Sequence, residues 1–350
     1  MKPVKPISLL WGLRSYCASH GCLYCYFGTI SEHREQMPTA PGVLSHLSPN
    51  DLTAADVLAF AETLHDSPVG RVFLAGGEPL LWKPIIKLIE VLKAGGLEVV
   101  VCTSGVALNR PDLREPLIEL GIDAVSVSLD SADPVHNDRW RPPRRDGDGW
   151  EAVVSGISAL IAARGPGPRP KVGIYSVITR RNLADIVAVP ELAASLGCDY
   201  AVPQPIALDS DHRLAAKLSL TAEHLPELRQ RFDDLYAAEM PLVLPERSYA
   251  GQVASAVARP TDLVPGCFGG DTLFFVQPDG TVWDCPSSLK IAATPPGRHR
   301  SIKGARAREL FPAPTGCGSD CALFSVDCVN MWPLTGFPVL APTGPEVPRA

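Results

Sequence analysis

The stretch SYCASHGCLYCYFG, residues 15–28, holds three of the ten cysteines of this 350-residue chain. Cys17, Cys22 and Cys25 follow ISLLWGL (7–13), an apolar run that predicts a buried strand. Three thiolates on one short loop can point at a single metal centre. Three protein ligands leave a fourth coordination position open, and an open position indicates a metal site that also binds a cofactor or substrate.

Two alternatives stay open for this loop. A structural zinc site is normally closed by four ligands, and His20 would then be the fourth. Otherwise His20 is expected to be a solvent-exposed loop residue.

The composition limits location and partners. Apolar residues make up 46% of the chain, the formal charge is −6, and no long lysine and arginine run occurs. Neither nucleic acid nor an anionic membrane surface is therefore expected as a partner. No apolar run reaches the roughly 18 residues needed to span a bilayer, and the N-terminus lacks a secretory signal pattern. We expect a cytoplasmic protein, in which clustered cysteines hold metal more often than they form disulfides.

Apolar runs alternate with helical patterns as far as residue 205. Strands are predicted at 7–13, 71–75, 97–103, 124–129, 171–179 and 199–203, and helices at 52–67, 83–96, 111–120, 150–164 and 183–197. This alternation predicts an α/β fold with a parallel sheet and crossover helices, either open or closed into a partial barrel. In such folds the working groups lie at the C-terminal ends of the strands.

Polar and glycine-rich segments follow three of these strands. AGGEP (75–79) comes directly after the second strand, where Gly76 and Gly77 would let the backbone approach a ligand closely and Glu78 supplies a carboxylate. Alone, GGEP is also consistent with a plain turn. Thr103-Ser104-Gly105 ends the next strand, and Ser128-Leu129-Asp130 ends the strand after that.

In this order, the segments resemble the radical S-adenosylmethionine (SAM) superfamily over about residues 7–205. The cysteine loop is similar to the family's cluster motif, and GGEP to its segment for the SAM amino group. The usual spacing is C-x3-C-x2-C, whereas four residues separate Cys17 from Cys22 here. The resemblance implies a partial (β/α)6 barrel in a core domain at 1–205. It also implies a [4Fe-4S] cluster on the three cysteines, with one open iron that SAM chelates.

The same resemblance implies contacts to SAM. They fall on Tyr24, Gly76, Gly77, Glu78, Pro79, Thr103, Ser104, Ser128, Asp130 and Arg139. For Asp130 and Arg139, an ion pair at the surface is the alternative.

The pattern changes after residue 205. A helical connection is expected at 206–260, with a helix at 221–240, and a small cysteine-rich domain at 261–340. Asp279-Gly280 predicts a hairpin inside that domain. The end, 341–350, is expected to be a flexible tail.

The cysteine-rich region contains Cys267, Cys285, Cys317, Cys321 and Cys328. Its first half, C-x12-G-x4-C, resembles the auxiliary-cluster extension of radical SAM enzymes known as SPASM or twitch. The resemblance implies one auxiliary [4Fe-4S] cluster on Cys267, Cys285, Cys317 and Cys321, with Cys328 able to replace one of the later ligands. The remaining thiol is either inert or a hydrogen donor to a substrate radical, a role considered for Cys328. A structural zinc site is the alternative for the whole group.

Other conspicuous residues have ordinary explanations. Cys102 lies within a strand and Cys198 after a helix, and both are expected to be structural. Trp140 and Trp332 are expected to pack in the core or at an interface. The basic run at 141–149 is expected to be a solvated loop.

The resemblance implies an enzyme that reductively cleaves SAM to a 5′-deoxyadenosyl radical, which abstracts hydrogen from a peptide or sugar-like natural-product precursor. Sugar or aminocyclitol epimerisation, dehydrogenation or decarboxylation is the alternative to peptide maturation. A flavodoxin- or ferredoxin-like one-electron donor is implied as a partner. About sixteen residues precede Cys17, which favours a small substrate or a separate peptide-recognition protein. The alternative from another class is a non-catalytic protein with two metal sites, zinc or redox Fe–S.

Overall fold

The computed structural model describes residues 6–25, 51–208, 212–258, 266–315, 320–321 and 326–336. The tail expected at 341–350 and the ligand candidate Cys317 lie outside these residues.

The strands of the described residues form one sheet in the order β6-β5-β4-β3-β2-β1-β7-β8-β9. Their bounds are β1 Ile7–Gly12, β2 Val69–Ala75, β3 Glu98–Thr103, β4 Ala124–Ser128, β5 Lys171–Ile178, β6 Tyr200–Pro205, β7 Leu273–Val276, β8 Thr281–Trp283 and β9 Arg300–Ser301. Strands β1 to β6 pair in parallel. The parallel α/β sheet predicted from the alternation of strands and helices is thereby confirmed.

Both faces of this sheet are buried, which explains why its strands are almost continuously apolar. Leu9 and Trp11 of β1 belong to the core beneath the helices, whereas Leu10 belongs to a second core on the opposite face. This alternation follows from the two-residue period of a strand.

Helices connect the strands and extend the chain beyond them. Their bounds are α1 Ala54–Ala61, α2 Ile85–Ala94, α3 Pro111–Glu119, α4 Pro134–Trp140, α5 Trp150–Arg164, α6 Asp185–Ser195, α7 Ala215–Leu218, α8 Leu225–Ala237, α9 Arg247–Ala258, α10 Ser288–Ala293, α11 Ala307–Leu310 and α12 Val326–Gly336. Thr53 caps α1 by accepting the Asp56 N–H at 3.2 Å. The helix predicted at 52–67 ends at Ala61 and is followed by a 3-10 turn at Leu64–Asp66.

The chain after residue 260 continues the same sheet. Strand β7 lies parallel to β1, and β8 pairs antiparallel to β7. The turn between β7 and β8 contains Gly280 at φ 87°, so the hairpin predicted around Asp279-Gly280 is confirmed. The cysteine-rich segment therefore shares its sheet with the N-terminal strands, while its assignment as a separate domain stays a prediction.

Helix α12 covers the second core. Met331 and Leu334 pack there with Leu10 of β1. The helix is attached to the end of β6 by two hydrogen bonds: Asn330 Nδ2 donates to Pro205 O at 3.0 Å, and the β6 residue Gln204 donates from Nε2 to Asn330 O at 2.9 Å. These contacts place one face of α12 opposite the parallel strands.

Within the part of the chain that the structure describes, no helix combines the length and the apolar character needed to cross a membrane.

Candidate functional site

A cavity of about 270 Å³ lies at the C-terminal ends of the parallel strands. Its lining includes the last residue of β2, β3, β4 and β6, namely Ala75, Thr103, Ser128 and Pro205. Ligands of parallel α/β sheets bind at this edge. The position agrees with the one that the sequence predicts for the working groups.

Cys17, Cys22 and Cys25 all line this cavity. Burial raises the pKa of the Cys17 thiol and raises the pKa of the Cys22 thiol to about 11. A metal centre would have to deprotonate them on binding. Among the described residues, no three His, Cys, Asp or Glu side chains are grouped so as to hold a single metal ion. Three thiols around one cavity fit a cluster with three cysteine ligands.

The segment after α4 fixes the cysteine loop. Arg144 donates from Nε to Cys17 O at 2.7 Å and to His20 O at 3.1 Å. Arg141 is buried and lines the cavity. The expectation that 141–149 is a solvated loop was wrong at Arg141, which is buried, whereas Arg144 is exposed and still binds the cysteine loop with its guanidinium.

Asp130 forms a buried ion pair with Arg141 rather than a surface pair with Arg139. Arg141 Nη1 lies 3.0 Å from Asp130 Oδ2, and the two side chains are 11% and 2% exposed. Tyr24 donates its hydroxyl to the same oxygen at 2.7 Å, and its ring lines the cavity. Arg139 is exposed, and its guanidinium lies over a tryptophan ring. The pair therefore orients Tyr24 toward the cavity.

Glu78 is buried, and its carboxylate already accepts three hydrogen bonds. Oε1 accepts from Thr103 Oγ1 at 2.7 Å and from Leu80 N at 3.1 Å, and Oε2 accepts from Ser104 N at 2.7 Å. Thr103 and Ser104 line the cavity. Glu78 thus fixes these two residues, and its contact with SAM stays a prediction. Pro79 is buried and begins a 3-10 turn.

Gly76 and Gly77 line the cavity with φ angles of 80° and 57°. A Cβ on Gly77 would lie 2.3 Å from Tyr16 O, and one on Gly76 would lie 2.7 Å from Gly12 Cα. The sequence suggests that these glycines admit a ligand. The structure adds a second reason, since the GGEP turn packs directly on the chain that leads into the cysteine loop.

His20 is 2% exposed, so the expectation of a solvent-exposed loop residue was wrong. Its Nδ1 lies 2.8 Å from Ser19 Oγ, which lies 2.9 Å from Ser104 Oγ. These contacts draw the ring inward, where it lines the cavity. Its Nε2 is buried and has no hydrogen-bond partner among the described residues. Burial, with the nearby charges of Arg141 and Arg144, lowers the His20 pKa to about 3, so the ring is neutral at physiological pH.

Part of the cavity lining consists of neutral side chains. They are Leu10, Cys102, Ser126, Tyr175, Gln204, Asn330, Met331 and Leu334. Cys102 was expected to be only structural, but it faces this space, and burial raises the pKa of its thiol to about 12. Asn330 Oδ1 is buried without a partner in the described part of the chain. Because Asn330 Nδ2 donates to Pro205 O, the amide orientation is fixed with its oxygen as the unpaired group.

A second cavity of about 40 Å³ also borders α12, through Cys328 and Met331. Four cysteines line it: Cys267, Cys285, Cys321 and Cys328. The Cys267 and Cys321 thiols are hydrogen-bonded, and burial raises the pKa of Cys267. Met331 lines both cavities. The two groups of cysteines are thus separate sites that share one helix as a wall.

Comparison with known proteins agrees with this geometry. The sequence matches the Radical SAM superfamily over residues 15–193. It is similar to the AdoMet-dependent heme synthase of Methanosarcina barkeri, with 26% identity over 192 residues, 55% of this chain and 48% of that protein. It is also similar to the probable GTP 3',8-cyclase of Methanothermobacter thermautotrophicus, with 30% identity over 141 residues, 40% of this chain and 39% of that protein. The chain thus spans about half or less of these relatives.

Solved structures share the fold over a longer region. Streptococcus suis SuiB bound to S-adenosylmethionine superimposes with a TM-score of 0.62 at 14% identity, covering 96% of this chain and 67% of that one. The anSMEcpe structure with bound AdoMet superimposes with a TM-score of 0.63 at 16% identity, covering 88% of this chain and 81% of that one. At these identities the likeness concerns the fold alone, and it extends beyond residues 15–193.

Proposed function

The chain belongs to the radical SAM superfamily and is an enzyme, and on that premise we propose that it cleaves SAM in the larger cavity to abstract hydrogen from a biosynthetic intermediate. The observation that carries this proposal is that one cavity unites Cys17, Cys22 and Cys25 with the GGEP and TSG segments. When bound, a [4Fe-4S] cluster and SAM supply a 5′-deoxyadenosyl radical.

Residues of this chain would bind the cluster and SAM and enclose the radical. The three cysteines would bind three irons and leave the fourth position for SAM. Thr103 and Ser104, which Glu78 fixes, would contact the cofactor beyond the cluster. Tyr24, which Asp130 fixes, would pack beside the adenine. Helix α12 contributes Asn330, Met331 and Leu334 to the lining, and we expect it to help exclude water from a radical formed there.

We propose that the second cavity holds one auxiliary [4Fe-4S] cluster. Support comes from four cysteines that line one small space. The set suggested by the sequence contains Cys317, which lies outside the described residues, whereas Cys328 joins Cys267, Cys285 and Cys321 at this cavity. This placement favours Cys328 as a ligand over Cys328 as a hydrogen donor to substrate.

Metal content tests the auxiliary cluster. After anaerobic reconstitution, the wild type should hold about eight irons and eight sulfides, and a Cys267→Ala/Cys285→Ala variant about four of each. A Cys17→Ala/Cys22→Ala/Cys25→Ala variant should also hold about four, because the two sites are separate. Zinc in the wild type at the C-terminal cysteines, or four irons in the wild type, would contradict the auxiliary cluster.

The larger cavity favours a neutral substrate group such as a peptide side chain or a sugar ring. Among the described lining residues the arginines are already engaged: Arg141 pairs with Asp130, and Arg144 donates to the cysteine loop. A nucleoside triphosphate would require cations available for its phosphates. SuiB was solved with the precursor peptide SuiA, and anSMEcpe with the Kp18Cys peptide. We therefore place peptide substrates first, with sugar-like substrates as the alternative.

Deuterium transfer tests the substrate class. A precursor peptide encoded beside the gene would be prepared with deuterated side chains and incubated with reconstituted enzyme, SAM and a flavodoxin or ferredoxin as electron donor. We expect deuterium in 5′-deoxyadenosine from the peptide and none from deuterated GTP. Transfer from GTP, or from a deuterated aminocyclitol but not from the peptide, would contradict a peptide substrate.

A further inference from the structure

His20 lines the same cavity as the three cysteines, and neither cluster ligation nor SAM cleavage as proposed gives its imidazole a role. We propose that His20 Nε2–H donates a hydrogen bond to the carboxylate of bound SAM. The inference rests on the proposed function, because it requires SAM at the cysteine loop. It adds to that function a SAM-binding residue inside the cluster loop itself.

The unpartnered nitrogen is the first observation. His20 is 2% exposed, its ring lines the cavity, and Nε2 has no hydrogen-bond partner in the described part of the chain. Buried polar atoms are nearly always hydrogen-bonded. A buried ring nitrogen that lacks a protein partner and borders a ligand cavity therefore points to an atom of the ligand.

The contacts of the other ring nitrogen are compatible with a proton on Nε2. Nδ1 lies 2.8 Å from Ser19 Oγ, and Ser19 Oγ lies 2.9 Å from Ser104 Oγ. Either hydroxyl can donate in such a chain of contacts. In the proposed arrangement, Ser104 donates to Ser19 and Ser19 donates to Nδ1, which places the ring proton on Nε2 and makes Nε2 a donor at the cavity.

The backbone on both sides of the ring is fixed as well. The His20 N–H lies 3.5 Å from Cys17 Sγ, and its carbonyl accepts from Arg144 at 3.1 Å. These contacts fix the backbone of His20, and a rotation of the ring away from the cavity would break the contact between Nδ1 and Ser19 Oγ. A donor held in advance loses little conformational entropy when it binds its acceptor.

The carboxylate is the acceptor that fits this donor. In the proposed complex, the amino and carboxylate groups of SAM meet the open iron beside the three cysteines. The amino group is itself a donor, so the acceptor at that end of SAM is the carboxylate. The four residues between Cys17 and Cys22 include both Ser19 and His20. The longer spacing of this loop thus provides both the ring and the hydroxyl that orients it.

Two matched variants of the full-length reconstituted protein test the role of Nε2. His20→Gln places an amide N–H near the position of Nε2, whereas His20→Asn keeps an amide near Nδ1 and removes the donor at Nε2. Equilibrium dialysis with SAM should give a dissociation constant within about threefold of wild type for His20→Gln and at least about tenfold higher for His20→Asn, as expected for one hydrogen bond to a charged group. The EPR change that SAM induces in the reduced cluster should follow the same order.

The outcomes separate this inference from the proposed function. A wild type that binds no iron or no SAM contradicts the proposed function itself. A His20→Asn variant with wild-type iron content and wild-type SAM affinity overturns only the role of His20. Strong nitrogen coupling to the SAM-free cluster in pulsed EPR, absent from both variants, would make His20 a cluster ligand and also overturn it. If His20→Asn fails to load iron, Ser19→Ala decides the matter: weaker SAM binding supports the inference, and unchanged binding contradicts it.

Discussion

Replacement of Gly77 should impair cofactor binding without a comparable loss of folding stability. A Cβ there would lie 2.3 Å from Tyr16 O, in the chain that leads to the cysteine loop. We expect Gly77→Ala to displace that loop and to abolish SAM binding and loading of the first cluster. Iron content and equilibrium dialysis with SAM measure both effects.

Gly96→Ala is the matched control for Gly77→Ala. Gly96 also has a positive φ, 77°, but none of the described residues that pack around it comes within 4 Å of its Cβ position. Both variants therefore bear the strain of a left-handed residue, about 1–2 kcal/mol, and only Gly77→Ala meets the cysteine loop. Normal SAM binding by Gly77→Ala would show that this contact does not position the loop.

The buried Arg141–Asp130 pair should matter for stability. Arg141→Met leaves the Asp130 carboxylate buried without its counter-ion, and breaking a buried pair on one side typically costs about 3–5 kcal/mol. We expect a loss of that size in the free energy of unfolding from urea denaturation. The exposed pair of Arg110 and Asp112, with side chains 56% and 64% exposed, is the comparison, and Arg110→Met should cost less than about 1 kcal/mol. Equal losses of unfolding free energy in Arg141→Met and Arg110→Met would show that the buried ion pair contributes no more to stability than the exposed one.

The placement of a site residue was predictable from the sequence where it depends on the spacing of residues that are close together in the chain. Cys17, Cys22 and Cys25 lie within nine residues and meet at one cavity as expected. His20 was not predictable, because its burial depends on the contact of Ser19 with Ser104, 85 residues away in sequence. Arg141 resembles its basic neighbours in the sequence, and only the fold selects it as the partner of Asp130.

Helix α12 forms part of the wall of the larger cavity, and its attachment to β6 can be tested. Asn330→Leu removes the donor to Pro205 O and leaves a buried carbonyl unpaired, at a cost of about 1–3 kcal/mol. We expect faster amide hydrogen exchange in α12. Asn109→Leu, which removes a donor to Ala152 O elsewhere, should leave exchange in α12 unchanged. Unchanged exchange in Asn330→Leu would show that this bond does not hold the helix.

The six parallel strands and most helices up to β6 were predicted within a few residues, because alternating apolar runs and helical periodicity are local signals. Helix α4 was missed, and the first helix ends at Ala61, six residues before its predicted end. The pairing of β7 with β1 was not predictable, because the sequence of a four-residue apolar strand does not determine which strand it pairs with. Helix α12 was also missed. It contains Pro333, a residue that argues against a helix interior, and it is stabilised by packing on the sheet and on the core that contains Cys328 and Val329.

At the scale of the whole molecule, two groups of cysteines line two cavities that both border α12. Met331 lines both cavities, so a cluster in the second cavity would lie close to the space proposed for the substrate.

The most direct test of the SAM-cleaving site is the formation of 5′-deoxyadenosine from SAM and dithionite by the anaerobically reconstituted protein. We expect this product from the wild type and from a Cys198→Ala control, whose buried cysteine lies in the core beneath the helices. We expect none from the Cys17→Ala/Cys22→Ala/Cys25→Ala variant, although that variant should keep the iron of the second site. No SAM cleavage by an iron-loaded wild type, or equal cleavage by the triple variant, would contradict the claim that these three cysteines form the SAM-cleaving site.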